Sequence, residues 1–209
     1  MVKVRCKMDI PLNAEAFCSD GHVGRITNVI LNPKTDVMSH LVVRLKENPH
    51  TEVVVSKELV RNTTSISIKL DCTCEQIKNE QSFVETDLIP VQIPQYPNAI
   101  AWPVAMPETS LKAYRHHHIP VNEKAVHSGV HVKALDGDVG QVDEFRANSD
   151  GHITHLVLRA GHLWRAKELE IPVSAVSHFG SRSVQLDLRK NEVNGFPLLP
   201  VRREFPGLQ

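Results

Sequence analysis

The sequence has no excess of charge of either sign and no long apolar run. Lys plus Arg number 24 and Asp plus Glu number 24, so the formal net charge is zero. Without a basic block, nonspecific binding to a polyanion such as RNA is not expected. No segment reaches the roughly 18–20 unbroken apolar residues of a membrane-spanning helix. Charges interrupt the N-terminal residues MVKVRCKMDI, so a secretory signal is not predicted either.

Cysteines are few. Four Cys among 209 residues do not make a disulfide scaffold, and without an export signal we interpret them as reduced thiols in the cytoplasm. Cys72 and Cys74 form a C-x-C pair, but Cys6 and Cys18 lack the spacing of the second pair that a structural zinc site usually has. Free buried or edge thiols are the first interpretation, and a redox or metal role is the alternative.

Motifs of catalysis are also missing. The pairs Gly21-x-x-Gly24 and Gly137-x-x-Gly140 lack the additional glycines and the lysine of a phosphate-binding loop. No G-x-S-x-G elbow is present. We interpret the four glycines as structural turns at which two backbones approach closely, and we expect neither enzyme activity nor a cofactor.

The sequence does contain an internal repeat with a spacing near 116. Five segments recur in the same order, which indicates a tandem duplication. The matched segments are DGHVGRI from Asp20 and DGDVGQV from Asp136, HLVVR from His40 and HLVLR from His155, EVVVS from Glu52 and EIPVS from Glu170, SISIKL from Ser65 and SVQLDL from Ser183, and LIPV from Leu88 and LLPV from Leu198.

Each repeat is predicted to be β-structure. In 65–70 apolar side chains alternate with polar ones, which is the period of a half-buried strand. The Asp-Gly pairs indicate tight turns that enter strands. We expect four to six short strands in each repeat, with short helical turns near 75–81 and 190–194. Because so small a sheet must curl to cover its edges, a small β-barrel is predicted for each repeat.

Residues 84–125 differ in composition from both repeats, with six prolines. Proline at this density predicts an extended or turning segment without regular structure. The apolar residues among them predict that the segment packs over one or both barrels, or over a partner. The predicted organisation is a first barrel over 1–83, a packed proline-rich linker over 84–125, and a second barrel with a C-terminal tail over 126–209.

The repeated pattern resembles the PRC-barrel family, named after the photosynthetic reaction-centre H subunit. The residues that carry the resemblance are the D-G-x-V-G turn and strand, the H-L-V-x-R strand and the E-[IV]-x-V-S strand, and the second repeat matches better. The first repeat departs from it where Lys46-Glu47-Asn48-Pro49 replaces Gly161-His162-Leu163-Trp164. The resemblance implies an all-β chain of two tandem PRC-like β-barrels. It also implies a non-catalytic adaptor or assembly protein that acts through protein–protein contacts.

Two alternatives stay open, a ribosome- or RNA-associated maturation factor and a metal-binding protein. The metal hypothesis rests on the three consecutive histidines at 116–118. Neighbouring side chains on an extended chain point to opposite faces, so only His116 and His118 could bind one ion together. Solvated or packed histidines are the first interpretation there. His40 and His155 recur with an arginine four residues later, and we interpret them as structural, with the imidazole bonded to a turn and the arginine paired to a carboxylate.

Three aromatic residues are the candidate protein-binding residues: Trp102 and Tyr114 in the linker and Trp164 in the second repeat. Tryptophan and tyrosine outside core strands are enriched at interfaces. The expected partner is another protein or a second copy of the chain, in the cytoplasm and without strong nucleic-acid binding. Peripheral association with a membrane complex is compatible with this expectation.

Overall fold

A computed structural model describes residues 8–48, 51–92, 109–161, 167–180 and 182–199, and for 85–92 and 109–115 it describes the backbone. The fold is all-β, as the alternation predicted, and its two α-helices have only five and four residues. No helix in this part of the chain is long and apolar enough to cross a membrane.

The elements follow the repeat. The first repeat contains β1 (Met8–Pro11), β2 (Glu15–Cys18), β3 (Gly21–Asn32), β4 (Val37–Leu45), β5 (Glu52–Ser56), β6 (Val60–Thr63), β7 (Ser67–Leu70) and α1 (Cys74–Lys78). Between the repeats lie β8 (Val84–Gln92) and β9 (Thr109–His117). The second repeat contains β10 (Lys124–His127), β11 (His131–Ala134), β12 (Gly137–Ala147), β13 (Ile153–Ala160), β14 (Lys167–Pro172), β15 (Val176–Phe179), β16 (Ser183–Leu186), α2 (Lys190–Val193) and β17 (Leu198–Leu199). A short 3₁₀ turn follows β5 and β14 at Lys57–Leu59 and Val173–Ala175.

The two repeats build sheets with the same strand order. The first sheet runs β5-β4-β3-β2-β7-β6, and the second runs β14-β13-β12-β11-β16-β15 with β17 added beside β14. Neighbouring strands are antiparallel except β2 with β7 and β11 with β16, which are parallel. The predicted helical turns are confirmed as α1 and α2, which follow β7 and β16.

The repeats exchange their first strands. β1 belongs to the first repeat but pairs with β12 of the second sheet, with Ile10 opposite Phe145. β10 belongs to the second repeat but pairs with β3 of the first sheet, with Val126 opposite Val29. Each sheet is therefore completed by a strand from the other repeat.

One buried arginine sits where β1 joins the second sheet. The guanidinium of Arg146 lies 3.6 Å from Asp9 of β1, 3.3 Å from Glu144 and 2.6 Å from Glu170, and its side chain is only 6% exposed. Burial tends to lower the pKa of Arg146, but the hydrogen bonds and charges of Glu170 and Glu144 outweigh it and raise this pKa. In the first sheet, Ile30 of β3 takes the place that Arg146 has in β12, since it lies opposite β10 as Arg146 lies opposite β1. Ile30 packs in an apolar cluster with Val42 and Phe83.

A continuous hydrophobic core runs through both repeats. It includes Ile10 and Leu12 together with Phe145 and Leu156, all fully buried. The two hairpin turns also meet, since Val37 and His152 form an isolated bridge. Burial and backbone pairing thus join the repeats at several places.

The prediction that residues 84–125 lack regular structure is wrong. β8 and β9 pair as an antiparallel hairpin from Val84 opposite His117 to Gln92 opposite Thr109, and β10 begins in this range at Lys124. Pro90 is tolerated within β8 because each strand of a two-stranded sheet has an outer edge that needs no N–H donor.

The repeat matches from Glu52 and from Ser65 need a shift of two residues. Arg44 pairs with Glu52, and its counterpart Arg159 pairs with Glu168, so Glu168 and not Glu170 corresponds to Glu52. Likewise Ser67 and Ser183 hold equivalent places beside β2 and β11, and Ser82 rather than Leu88 corresponds to Leu198. Strands have a period of two, so a shift by two residues keeps the apolar side chains on the same face.

Candidate functional site

An open groove of about 1040 Å³ lies where the two repeats meet. Both repeats line it, which makes it a feature of the assembled chain. The lining residues of the first repeat are Asn13, Ala14, Glu15, Phe17, Arg25, Ile66, Ser67 and Lys69, and those of the second are Ser128, Gly129, Gln141, Val142, Asp143, Arg159 and Glu168.

The groove combines an exposed aliphatic side chain with balanced charge. Ile66 is 63% exposed, which is unusual for isoleucine, and it precedes β7 in the groove wall. The lining contains three basic and three acidic residues, and Arg25 forms an ion pair with Glu15. An apolar centre with a polar rim is the general composition of protein-binding surfaces.

The recurring His–Arg pairs lie on the sheets and have nearby partners. Arg44 donates to Glu52 from Nε at 3.1 Å and Nη2 at 2.8 Å, which confirms the predicted carboxylate pairing. Nδ1 of His40 lies 2.9 Å from the Ser39 hydroxyl, and Nδ1 of His155 lies 3.1 Å from the Thr154 hydroxyl. The prediction that each imidazole bonds to a turn is therefore wrong, because each lies beside the side chain of the preceding residue.

The four glycines have two different roles. Gly21 and Gly137 begin β3 and β12 with φ values of +152° and +133°, which only glycine adopts easily. Gly24 and Gly140 lie within these strands, where a Cβ atom would come 1.9 Å and 2.4 Å from the carbonyl oxygens of Arg44 and Arg159. Gly140 in addition has a φ of +149°. Close backbone approach is confirmed at Gly24 and Gly140, but these two lie inside strands and not in turns.

The C-x-C pair lies beside a third thiol. The Sγ atoms of Cys18 and Cys72 are 3.8 Å apart in a buried position. The ligand atoms of Cys18, Asp20 and Cys74 all lie within 4.8 Å of one another. We call these four residues, Cys18, Asp20, Cys72 and Cys74, the thiol cluster. Burial is the largest cause that raises the pKa of all three thiols, and the backbone N–H of Cys74 lowers the pKa of Asp20.

The histidines at 116–118 do not gather ligands. His118 Nδ1 lies 3.0 Å from Nε2 of the Gln81 side chain. The rings of His117 and Phe83 pack edge to face, with their centroids 5.0 Å apart. Among the described residues, no group of three ligand atoms includes His116 or His118. Trp102 and Trp164 lie outside the described residues, and so does the side chain of Tyr114, so these three interface candidates stay predictions.

Compared with known proteins, the sequence matches no family model and no curated protein.

Sequence reasoning missed the groove and the thiol cluster for the same reason. Cys18 is 54 residues from Cys72, and the two become neighbours only because β2 and β7 are parallel. The signal that could have found the cluster is the repeat itself. Cys18, Cys72 and Cys74 all lie in the first repeat, and the residues 116 positions later are Ala134, Leu188 and Lys190.

Proposed function

We propose that this chain is a non-catalytic adaptor or assembly protein of the cytoplasm that binds a partner protein through its two PRC-like units. Within this proposal each sheet is a PRC-like barrel. The identical strand order of the two sheets and the D-G-x-V-G and H-L-V-x-R segments support that assignment.

The groove between the repeats is the observation that carries the proposal. Its volume of about 1040 Å³ lies at the upper end of the range for small-molecule pockets, and an extended peptide segment would also fill it. Ile66 offers an exposed apolar contact in the lining, and Lys69 and Asp143, which also line the groove, supply charges of both signs. The segment that fits carries an aliphatic or aromatic side chain flanked by both charge signs. The balanced lining does not favour a polyanion.

Site-specific photo-crosslinking in the source cells tests the proposal. A photoreactive amino acid replaces Ile66 in the full-length chain, and a second version carries it at Leu135. Leu135 is a matched control because it is 66% exposed and does not line the groove. We expect one reproducible protein adduct from position 66 that is absent from position 135, with the adduct identified by mass spectrometry.

A groove variant then tests whether the contact contributes to binding. Ile66→Glu replaces an exposed apolar side chain of the lining with a charged one, so the adduct partner should no longer co-purify with the chain, whereas Leu135→Glu should leave co-purification unchanged. An absence of adducts at position 66, or the same adducts at both positions, would contradict binding in the groove.

A further inference from the structure

The thiol cluster is assembled by the parallel pairing of two strands. Cys18 is the last residue of β2, and β7 ends two residues before Cys72. Because β2 and β7 run in the same direction, their C-terminal ends meet at one edge of the sheet. The backbone N–H of Ser19 donates to the carbonyl of Cys72 at 2.9 Å and fixes this juxtaposition.

The turn after β7 holds Cys74 in place. Cys74 begins α1, and its N–H donates to Oδ1 of Asp20 at 2.8 Å. Thr73 and Gln76 form a reciprocal capping box around the same turn. Asp20 therefore fixes the helix start through one carboxylate oxygen, and its carboxylate also lies close to the sulfurs of Cys18 and Cys74. Cys18 and Cys72 are buried and Cys74 is half-buried, so an ion can enter from the Cys74 side.

The Cys18–Cys72 pair has the sulfur–sulfur spacing of a tetrahedral thiolate site. Zinc–sulfur bonds are about 2.3 Å long, which places two sulfurs of one tetrahedron about 3.8 Å apart. Cys18 Sγ and Cys72 Sγ are 3.8 Å apart. The atoms of Cys18, Asp20 and Cys74 lie within 4.8 Å of one another, and Cys72 adjoins this group through Cys18, so binding an ion requires the four ligand atoms to draw closer together.

The second repeat shows that the fold does not need these thiols. Asp136 accepts the N–H of Lys190 at 2.8 Å, as Asp20 accepts that of Cys74. β11 and β16 are parallel, and α2 follows as α1 does. Within this common frame, Ala134, Leu188 and Lys190 stand where the first repeat has its three cysteines. The carboxylate is common to both repeats, whereas the thiols are found in the first alone.

We propose that Cys18, Cys72, Cys74 and Asp20 form a binding site for a thiophilic divalent cation of the zinc class. Three sulfurs and one carboxylate oxygen complete a four-coordinate zinc shell, whereas copper(I) prefers soft ligands alone and makes no use of the carboxylate. A Cys18–Cys72 disulfide would use two of the three thiols and leave Cys74 out. The bound ion cross-links the end of β2 to the start of α1, which are separated by 54 residues in the sequence.

Zinc titration of the tag-free, full-length chain tests the site. The protein is treated with reductant and chelator, then titrated with Zn²⁺ against a chromophoric competing chelator. We expect one Zn²⁺ per chain with a dissociation constant of about 10⁻⁷ M or tighter, the weak end of the range for structural thiolate sites. Co²⁺ in place of Zn²⁺ should show a thiolate-to-cobalt charge-transfer band.

The second repeat supplies the test variant. Cys18→Ala, Cys72→Leu and Cys74→Lys together give the first repeat the residues that its counterpart carries. This variant keeps Cys6 and every histidine, so a loss of Zn²⁺ binding by at least about 100-fold assigns the ion to the thiol cluster. Circular dichroism of the variant reports whether the β-structure is retained.

A second pair of variants tests the site even if the triple variant fails to fold. Asp20→Asn keeps an oxygen for the Cys74 N–H but removes the carboxylate charge, so Zn²⁺ should bind at least about 10-fold more weakly. Asp136→Asn, the same change in the second repeat, should leave the affinity unchanged. The proposal is overturned if the triple variant retains stoichiometric Zn²⁺, if both Asn variants behave alike, or if bound Co²⁺ shows no charge-transfer band.

Discussion

Glycine is required at positions 24 and 140 by the closeness of the neighbouring strand. A Cβ atom on Gly24 would lie 1.9 Å from the carbonyl oxygen of Arg44, which is backbone and cannot rotate away. We expect Gly24→Ala and Gly140→Ala each to lower the free energy of unfolding by at least ~2 kcal/mol, since overpacking here must separate two strands. Chemical denaturation of the purified variants measures this.

Gly21 provides the control for this prediction. A Cβ atom there meets nothing within 4 Å, and only the φ of +152° is unfavourable for alanine. Gly21→Ala should therefore cost about 1 kcal/mol. Equal losses at positions 21 and 24 would show that close approach is not the decisive constraint.

Among the described residues, Arg146 is the charged residue whose side chain is buried. Its guanidinium lies among Asp9, Glu144 and Glu170 in a buried position, so Arg146→Met leaves three carboxylates without their common cation. We expect a loss of about 3–5 kcal/mol in the free energy of unfolding. Arg44→Met is the matched control, because the Arg44 side chain is 51% exposed and such pairs contribute less than about 1 kcal/mol. Comparable losses for the two variants would contradict a special role of burial.

The sequence predicts single residues well where a local rule applies, and less well where distant residues meet. Alternation identified the strands, and the Asp-Gly pairs located the starts of β3 and β12. Sequence spacing identifies the Cys72–Cys74 pair but does not connect Cys18 with it, because no spacing reports that β2 and β7 are parallel. The two-residue error in the match of Glu52 has a similar origin, since a period-two pattern fits equally well after a shift of two.

At the level of elements, the exchanged strands couple each repeat to the other sheet. Ile10 in β1 and Val126 in β10 are both fully buried. Ile10→Ala should speed amide hydrogen exchange in residues 144–147 of β12, and Val126→Ala should do so in residues 28–31 of β3, because these are their paired neighbours. Hydrogen exchange with mass spectrometry resolves the two regions. If each substitution instead loosened the sheet of its own repeat first, the exchange of strands between the repeats would have no energetic importance.

The exchange could not be predicted from the pattern of β1 or β10. A short strand with a buried apolar side chain has the same sequence whether it pairs with its own sheet or with the other one. The hairpin of β8 and β9 was missed for a different reason. Proline density usually indicates irregular chain, but Pro90 lies within β8, and a two-stranded hairpin lets a proline sit at an outer edge.

At the level of the whole molecule, neither repeat contains every strand of its own sheet. The fragment 126–209 lacks β1 and the first two residues of β10, which leaves residues 144–147 of β12 paired on one side only. We expect this fragment to lack the cooperative thermal unfolding of the intact chain. Adding a peptide of residues 1–15 should restore part of that stability. Cooperative unfolding of the fragment alone at the temperature of the intact protein would contradict this expectation.

The exchange of β1 and β10 also sets an order of events during synthesis. The first sheet makes its last pairing from its own repeat at Phe83, yet it needs β10, which ends at His127, 44 residues later (127 − 83). At about 5–20 residues per second the ribosome takes roughly 2–9 s to add them. Throughout that interval the outer half of β3 presents an open edge, and a neighbouring nascent chain on the same messenger can offer its own copy of β10 to it. We therefore expect closer spacing of ribosomes along the message to favour pairing between neighbouring chains.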